Sequence, residues 1–381
     1  MIHVRPSELG ILGRISARRA GGRIREPRAL KGTVPVSVVI PCYNYGRFLR
    51  QCLDSVLCDQ PGVAVEAIIV DDRSTDDSLA IARTLARERA NVRVIANDVN
   101  LGHIRTYNRG LDAATAPYVL LISADDLVTP GALTRAVELL EAERSVGMVY
   151  GRAVDFRGDP PPARRGAPSW IVWRGIDWLR HRCLSGYNVI ASPEVVMRTS
   201  VLRETGGYRA DLPHAGDFEM WLRTAAISDV AFLAGVDQAY HRNHGRNMNR
   251  TIFRSGSETG QLIDLKQRWQ SFEAVFDGVG RSLADGARLR ETARRTMTRH
   301  ALEHINYAYA RGFRDFPSED FEAFAREIDP LMGESRMGRS LARRKRLGMV
   351  PLPLHPLWAI PALHWRLKEV VRRWRRARIG V

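Results

Sequence analysis

From Val36 the chain alternates short apolar runs with stretches whose apolar residues recur every three or four positions. "VSVVI" (36–40), "EAIIV" (66–70), "VRVIA" (92–96) and "YVLLIS" (118–123) read as strands. Between them, 46–57 ("GRFLRQCLDSVL"), 76–89 ("DDSLAIARTLARER") and 103–114 carry a helical period, and Pro130 opens another that runs to about Glu143. Ser74 or Thr75 is available to cap the second of these helices. Repeated strand–helix units form a mostly parallel sheet with helices on both faces. The stretch 150–175 is rich in Pro, Gly and Arg ("RGDPPPARRGAPS") and reads as a surface loop. Strand-like and turn-rich material fills 187–240, and the period is helical again from about 257 to 330. The expected organisation is a basic mobile leader over 1–33, an α/β domain over 34–255, a helical extension over 256–335 and a basic tail over 336–381. The α/β domain is expected in two halves, 34–128 and 129–255.

Charge changes this picture. The 381 residues carry a formal net charge of +16, but residues 1–33 hold eight Lys/Arg against two acids and residues 336–381 hold thirteen against one. The centre is therefore close to neutral, about −2, and is not the basic footprint of a nucleic-acid-binding domain. Four cysteines without a CxxC pair suit reduced thiols in a cytosol-like compartment. The N-terminus lacks the apolar region of a signal peptide. The best candidate span, Met349–Trp365, is interrupted by four prolines and two histidines. Over 362–378, Leu363, Leu367, Val370, Val371 and Trp374 lie at near-helical spacing beneath an arginine face. We read this tail as an interfacial helix on anionic lipid, with Trp358, Trp365 and Trp374 at headgroup depth. Phosphate charge would also attract it to nucleic acid, and a solvated tail is the plainer alternative.

In parallel sheets, ligands bind at the carboxyl ends of the strands, which selects the loops 41–46, 71–75, 97–102 and 123–128. Tyr43 can stack on a flat base there, or simply pack on the first helix. Asp72 can accept a hydrogen from a base or ribose, since Ser74, Thr75, Asp76 and Asp77 already serve the helix start. Gly102 opens a helix whose backbone N–H groups favour an anion. Asp125 and Asp126 end the fourth strand, where two oxygen donors suit Mg²⁺ or Mn²⁺ shared with phosphates. An acidic cap before Pro130 is the plainer reading of either one alone.

Taken in order, "VSVVIPCYNYGRFLRQCLDSVL", "AIIVDDRSTDDS" and "NLGHIRTYNRGLDAATAPYVLLISADD" resemble the nucleotide-binding half of a family 2 glycosyltransferase with the GT-A fold. The likeness runs from about Pro35 to Arg250. It implies that Pro41 and Tyr43 line the base pocket and that Asp72 bonds the base. It also implies that Asp125 and Asp126 form a DxD-type motif, holding a divalent metal against the diphosphate of a nucleotide sugar. Ser123 stands where the family often has Asp. "ETGGYRADLPHAGDFEMWLR" (204–223) resembles the family's acceptor region. Asp217 would then be the general base and Glu219 the fallback, with Gly216 where an acid is common and Trp221 in the core. "YHRNHGRNMN" (240–249) resembles a stretch that closes over the diphosphate, with His244 as a third metal or phosphate contact.

The resemblance implies inverting sugar transfer of the hexosyltransferase type from a nucleoside-diphosphate sugar to a glycan or lipid-linked acceptor in polysaccharide synthesis. The expected location is cytoplasmic, peripheral on the inner face of the plasma membrane. The neighbouring metal–diphosphate charge is expected to raise the pKa of Asp217. A nucleotidyltransferase would need a Gly-rich phosphate loop after the first strand, which "PCYNYGRF" is not. An inactive glycosyltransferase-like binding module at a membrane is the remaining alternative.

Overall fold

The computed structural model describes residues 9–166, 168–245, 247–248, 258–311, 313, 315–347 and 356–381. They fall into two units. The first holds the chain up to Trp178, Val189–His244 and Ala377–Gly380; the second holds Leu179–Asn188, Gly245–Arg376 and Val381.

In the first unit, helix α1 (Gly10–Arg19) and strand β1 (Arg23–Arg25) precede four strand–helix repeats. These are β2 (Val34–Cys42) and α2 (Gly46–Leu57), β3 (Val63–Asp71) and α3 (Ser78–Glu88), β4 (Val92–Ala96) and α4 (His103–Asp112), then β5 (Tyr118–Leu121), β6 (Leu127–Val128) and α5 (Ala132–Ala142). There follow β7 (Val146–Tyr150), β8 (Ala153–Phe156), β9 (Ser169–Trp173), α6 (Gly175–Ser185), β10 (Val196–Arg198), α7 (Thr199–Thr205), α8 (Gly216–Ile227), β11 (Asp229–Ala234) and β12 (Ala239–Arg242). Nine strands form one sheet in the order β1-β9-β11-β7-β10-β5-β2-β3-β4, and β6-β12-β8 form a small second sheet.

Strands β5-β2-β3-β4 are parallel, as expected, while β10 runs antiparallel between β5 and β7. Val36, Val38, Val39, Ile40 and Ala67–Val70 are all fully buried. A strand covered on both faces has no use for polar alternation, which explains the unbroken apolar runs. The pairing of β2 with β3 ends at Cys42 opposite Asp71, so Tyr43 and Asp72 leave the sheet at the same edge. Gly110 lets α4 settle onto this sheet: a Cβ there would lie 2.3 Å from Val39 Cγ1 and 2.9 Å from Val70 Cγ2. That close approach sets where the amino end of α4 meets the strand ends.

Three expectations are corrected. The leader is not mobile throughout: α1 buries Ala17, and β1 pairs with β9 from Arg23 opposite Val172 to Arg25 opposite Trp170. Residues 150–175 are not only a surface loop, because β8 and β9 lie within them and Trp170 and Trp173 are buried in the core. Helix α3 begins at Ser78, with Asp77 at the cap position and no side-chain cap bond from Ser74 or Thr75. Ser74 Oγ instead accepts from Asn44 N at 3.1 Å, and Thr75 N donates to Asn44 Oδ1 at 2.8 Å. The first two strand-end loops are thus laced together.

The second unit is helical: α9 (Glu258–Asp277), α10 (Gly286–Arg311), α11 (Ser318–Ile328), α12 (Arg336–Leu347) and α13 (Pro356–Ile379). Leu265, Phe272, Met297, Ile305, Phe321 and Leu341 form its interior. Gly245–Arg376 fall in one unit. Ala377–Gly380 belong to the first unit, where Ile379 is fully buried and Tyr150 Oη donates to Gly380 O. No helix among the described residues is long and apolar enough to cross a membrane.

Candidate active site

Asp72 is fixed by the third loop rather than vacant. Its Oδ1 accepts from Asn97 Nδ2 at 2.8 Å and from Leu101 N at 2.7 Å, while Asn100 Nδ2 donates to its backbone carbonyl at 3.1 Å. Oδ2 has no hydrogen-bond partner among the described residues, so one oxygen holds the loop and the other is unengaged. Tyr43 is 45% exposed beside it, as a stacking platform must be. Pro41 is buried at the end of β2, and its carbonyl accepts from Ala124 N at 3.3 Å, which carries the fourth loop alongside the first. Gly102 is the residue before α4, at φ 78°, a conformation that favours glycine.

The carboxylates of the fourth loop diverge. Asp125 Oδ2 meets His244 Nε2 at 2.9 Å. Asp126 points elsewhere: its Oδ1 accepts from Arg242 N at 2.9 Å, on the small sheet. Burial, then the charge of Asp125, pushes the Asp126 carboxyl up to about 8. Two adjacent acids are therefore tolerated because one of them is readily held neutral. Arg242 fastens this corner, with Nε donating to Asp125 O at 2.8 Å and the guanidinium over the Phe48 and Phe156 rings at 4.7 and 4.5 Å. His244 stacks on Phe48 at 5.2 Å and meets Tyr45 edge-on at 5.4 Å.

The expected trio of metal ligands does not converge: no group of three or more His, Cys, Asp or Glu side chains able to hold a metal occurs among the described residues. Asp125 and His244 do fit one. Adjacent donors about 2.1 Å from an octahedral cation stand roughly 3 Å apart, and these two are 2.9 Å apart. The remaining positions suit diphosphate oxygens and water.

Across the site, Asp217 lies in the first turn of α8, and its Oδ1 accepts from Phe218 N at 2.7 Å. Glu219 is 1% exposed and paired with Arg223 at 2.7 Å; burial raises its pKa. It faces inward with Trp221, which is also in the core. Arg223 Nη2 also donates to Gly207 O at 2.9 Å, so this pair anchors the Gly206–Gly207 turn. The turn has its own requirement. Gly206 sits at φ 80°, and a Cβ on Gly207 would lie 2.5 Å from Asn108 Oδ1. Asn108 grips the backbone of Tyr208 twice, Nδ2 to its carbonyl at 2.8 Å and Oδ1 from its N–H at 2.7 Å.

Tyr107, given no role by sequence, stands where these parts meet. Its ring contacts His103 at 5.5 Å and Tyr208 at 5.6 Å, and burial followed by the charges of Asp125, Asp217 and Asp126 raises its phenol. Tyr45 is raised in the same way by burial, Asp125 and Asp126. Both tyrosines and Arg242 lie inside stretches that carried the resemblance, but only the fold shows which way they face. The structure thus brings Asp125, Asp126, His244 and Asp217 around two tyrosines, beside the ledge of Tyr43, Asp72 and Gly102. Glu219 is outside the group. Part of the closing stretch, Arg246 and Asn249, lies outside the described residues.

A largely parallel sheet with an acidic mouth at its strand ends is the α/β architecture of the GT-A class. The family model described as glycosyl transferase family 2 matches residues 37–202. An uncharacterized glycosyltransferase of Nostoc sp. is 35% identical over 237 residues, 58% of this chain and 69% of the relative. The chain belongs to glycosyltransferase family 2. It spans 64% of an uncharacterized Mycobacterium tuberculosis protein, which is 33% identical over 215 residues, 52% of this chain. Among solved structures, S. aureus TarS 1-349 in complex with UDP superposes with a TM-score of 0.50 at 17% identity, over 82% of this chain and 91% of that one. The mannosyltransferase PcManGT from Pyrobaculum calidifontis, in complex with GDP-Man and Mn²⁺, gives 0.51 at 18%, over 88% and 93%. At these identities the likeness is one of fold.

Proposed function

We propose that this chain is an inverting glycosyltransferase that moves a sugar from a nucleoside diphosphate to an acceptor hydroxyl. The observation that carries the reading is Tyr107, whose phenol feels both the Asp125–Asp126 pair and Asp217. One pocket thus has a leaving-group side and a base side. Tyr43 stacks on the base, and the unengaged oxygen of Asp72 accepts its imino or amino hydrogen. That chemistry suits uracil and also admits guanine, and the two structural neighbours above hold UDP and GDP-Man. Asp125 and His244 would hold Mn²⁺ or Mg²⁺, with Asp126 fixing the loop behind them. When bound, such an ion neutralises the departing diphosphate as a Lewis acid.

Asp217 takes the proton from the acceptor hydroxyl on the face opposite the leaving group, which inverts the anomeric centre. Glu219 is not the base, because its carboxylate is closed in by Arg223. The acceptor is a glycan or a lipid-linked sugar in cell-surface polysaccharide synthesis. A glycosyltransferase of PGL/p-HBAD biosynthesis from Mycobacterium bovis is 33% identical over 126 residues, 32% of this chain and 49% of the relative. The exposed side chains of Leu363, Leu367, Val370, Val371 and Trp374 on α13 hold the enzyme on the anionic inner face of the plasma membrane.

The test pairs nucleotide binding with sugar transfer. Asp217→Asn is expected to lower transfer by about 10²–10⁴-fold while UDP or GDP affinity is unchanged. Transfer that survives this change within a small factor would sink Asp217 as the base.

A further inference from the structure

The helical unit contains a cleft of about 520 Å³ between the end of α6, α10 and α13. Its lining holds five Lys/Arg side chains, Arg182, Arg299, Lys368, Arg372 and Arg375, against two acids, Glu303 and Glu369. The acids compensate little. Glu369 is already gripped by Arg372 at 2.7 and 2.8 Å and by Arg373 at 2.8 Å. Burial raises the Glu303 carboxyl, which favours its neutral form, and Arg299 stands 3.9 Å away.

Two arginines are prepared for an anion. The Arg372 guanidinium lies 3.8 Å from the centre of the Tyr187 ring, which itself packs against His300 at 4.5 Å. Nε and Nη2 of this guanidinium hold Glu369, so Nη1 is the donor left for a phosphate oxygen, and the stack fixes its direction. Arg375 is half-buried and makes no ion pair among the described residues, and its Nε is buried without a hydrogen-bond partner. A buried donor left unsatisfied is costly, and an oxygen ligand would recover that cost. His300, buried and held neutral by desolvation and by Arg268, adds a polar group without charge.

The rim of the cleft is apolar. Leu367 and Val371 line it yet are 57% and 56% exposed, and Leu184 is 52% exposed. Leu367 and Val371 continue along α13 into the stripe of Leu363, Val370 and Trp374. A free phosphate would have no use for such a ridge; a phosphate carrying hydrocarbon would use both features.

We propose that this cleft binds the phosphate head of a membrane amphiphile, with the head on Arg372 and Arg375 and the hydrocarbon along Leu367 and Val371. The proposal rests on the reading of α13 as a bilayer-facing helix, but not on sugar transfer, and its soluble arm tests the cleft without a bilayer.

The experiment uses the full chain in flotation assays with phosphatidylcholine vesicles. One set contains phosphatidylglycerol, and the other contains phosphatidic acid at matched surface charge. Calorimetry with inorganic phosphate and with short-chain soluble phosphatidic acid runs alongside. Expected are tighter binding to phosphatidic acid than to phosphatidylglycerol, and a loss of about tenfold on phosphatidic acid in Arg372→Ala/Arg375→Ala, as two charge-assisted contacts would give. Arg366→Ala/Arg376→Ala, which changes exposed arginines outside the cleft, should weaken both vesicle types alike. Arg372→Lys/Arg375→Lys, a milder change for folding, should keep the charge but lose the preference. Binding of soluble phosphatidic acid without vesicle flotation would keep the cleft and overturn the bilayer-facing helix. Equal calorimetric affinity for inorganic phosphate would make it a free-anion site and overturn the amphiphile. No preference between the two lipids, or the same loss from the cleft and exposed-arginine pairs, would overturn the cleft altogether.

Discussion

The acidic mouth of the sheet and the basic cleft of the helical unit are both read here as phosphate sites, yet their charges are opposite. Arginines meet phosphate directly, and Arg375, whose buried Nε has no hydrogen-bond partner, needs only the ligand. Carboxylates repel phosphate, so Asp125 and Asp126 can serve only through a cation. The carboxylate site also has to keep two adjacent acids stable before the cation arrives. It does so by setting Asp125 against His244 and by burying Asp126 under the Arg242 backbone until its carboxyl rises to about 8. The difference predicts opposite responses to a chelator. EDTA, or Asp125→Ala, should weaken nucleoside-diphosphate binding by about a hundredfold, since several kcal/mol of charge neutralisation is lost. Phosphatidic acid binding should be unchanged by either. Calorimetry with UDP and GDP, with and without Mn²⁺, reads the first effect, and flotation reads the second. Chelator-insensitive nucleotide binding would erase the contrast.

Acid should separate the two units in stability. His304 in the helical unit is pushed down to about 4, by burial first and then by Arg268, and His300 is pushed well below its usual value. Arg268 Nη1 lies 3.3 Å from His300 Nδ1, so the ring must accept there and a proton on that nitrogen would face the guanidinium. The folded pKa values lie below the unfolded one near 6.5. The stabilisation is therefore complete above about pH 6.5 and is lost as pH falls from there towards 4. His304 alone should cost the helical unit about 2 kcal/mol between pH 7 and 5, a drop of several degrees in Tm. Thermal unfolding followed across this range checks it, and His304→Gln should flatten the slope. A melting transition indifferent to acid would mean that these rings are not held neutral by the fold.

The parts of the molecule legible in the sequence are those fixed by local pattern. The helix Gly46–Leu57 and the strand Val92–Ala96 read to the residue, because an amphipathic period or an apolar run changes abruptly at each end. The strand Ser169–Trp173 does not. Its partner β1 lies in a segment whose arginines read as a solvated leader, and the Pro-Arg-Gly run just before it reads as loop. The candidate site divides in the same way. Tyr43, Asp72, Gly102 and Asp125 stand at strand ends that the alternation locates. The burial of Glu219 depends on Arg223 one turn later, and the divergence of Asp126 depends on Arg242, more than a hundred residues away. The second is not visible until the chain has folded, because it is set by what lies opposite rather than by what lies adjacent.

The smallest effect concerns the link between the two sides of the active site. Asn108 on α4 holds both backbone groups of Tyr208, and Tyr208 packs on Tyr107, one residue before Asn108. The same helix begins at the Gly102 loop, which Asp72 fastens through Leu101 N. The Gly102 loop and the Gly206–Tyr208 turn are therefore mounted on one short helix, and Asn108 is the clip between them. Asn108→Ala removes two hydrogen bonds at a half-buried position where water can replace part of what is lost, a net effect of about 1 kcal/mol. Because Asp72 and Asp125 keep their own partners, nucleotide affinity should hold. The expected change is a rise of about fivefold in acceptor KM, with kcat much less affected, as the Gly206–Tyr208 turn loosens before Asp217. Steady-state kinetics at saturating donor would show it. An equal loss on the nucleotide side would mean that α4 transmits rather than separates, and that the two halves of the site cannot be altered independently.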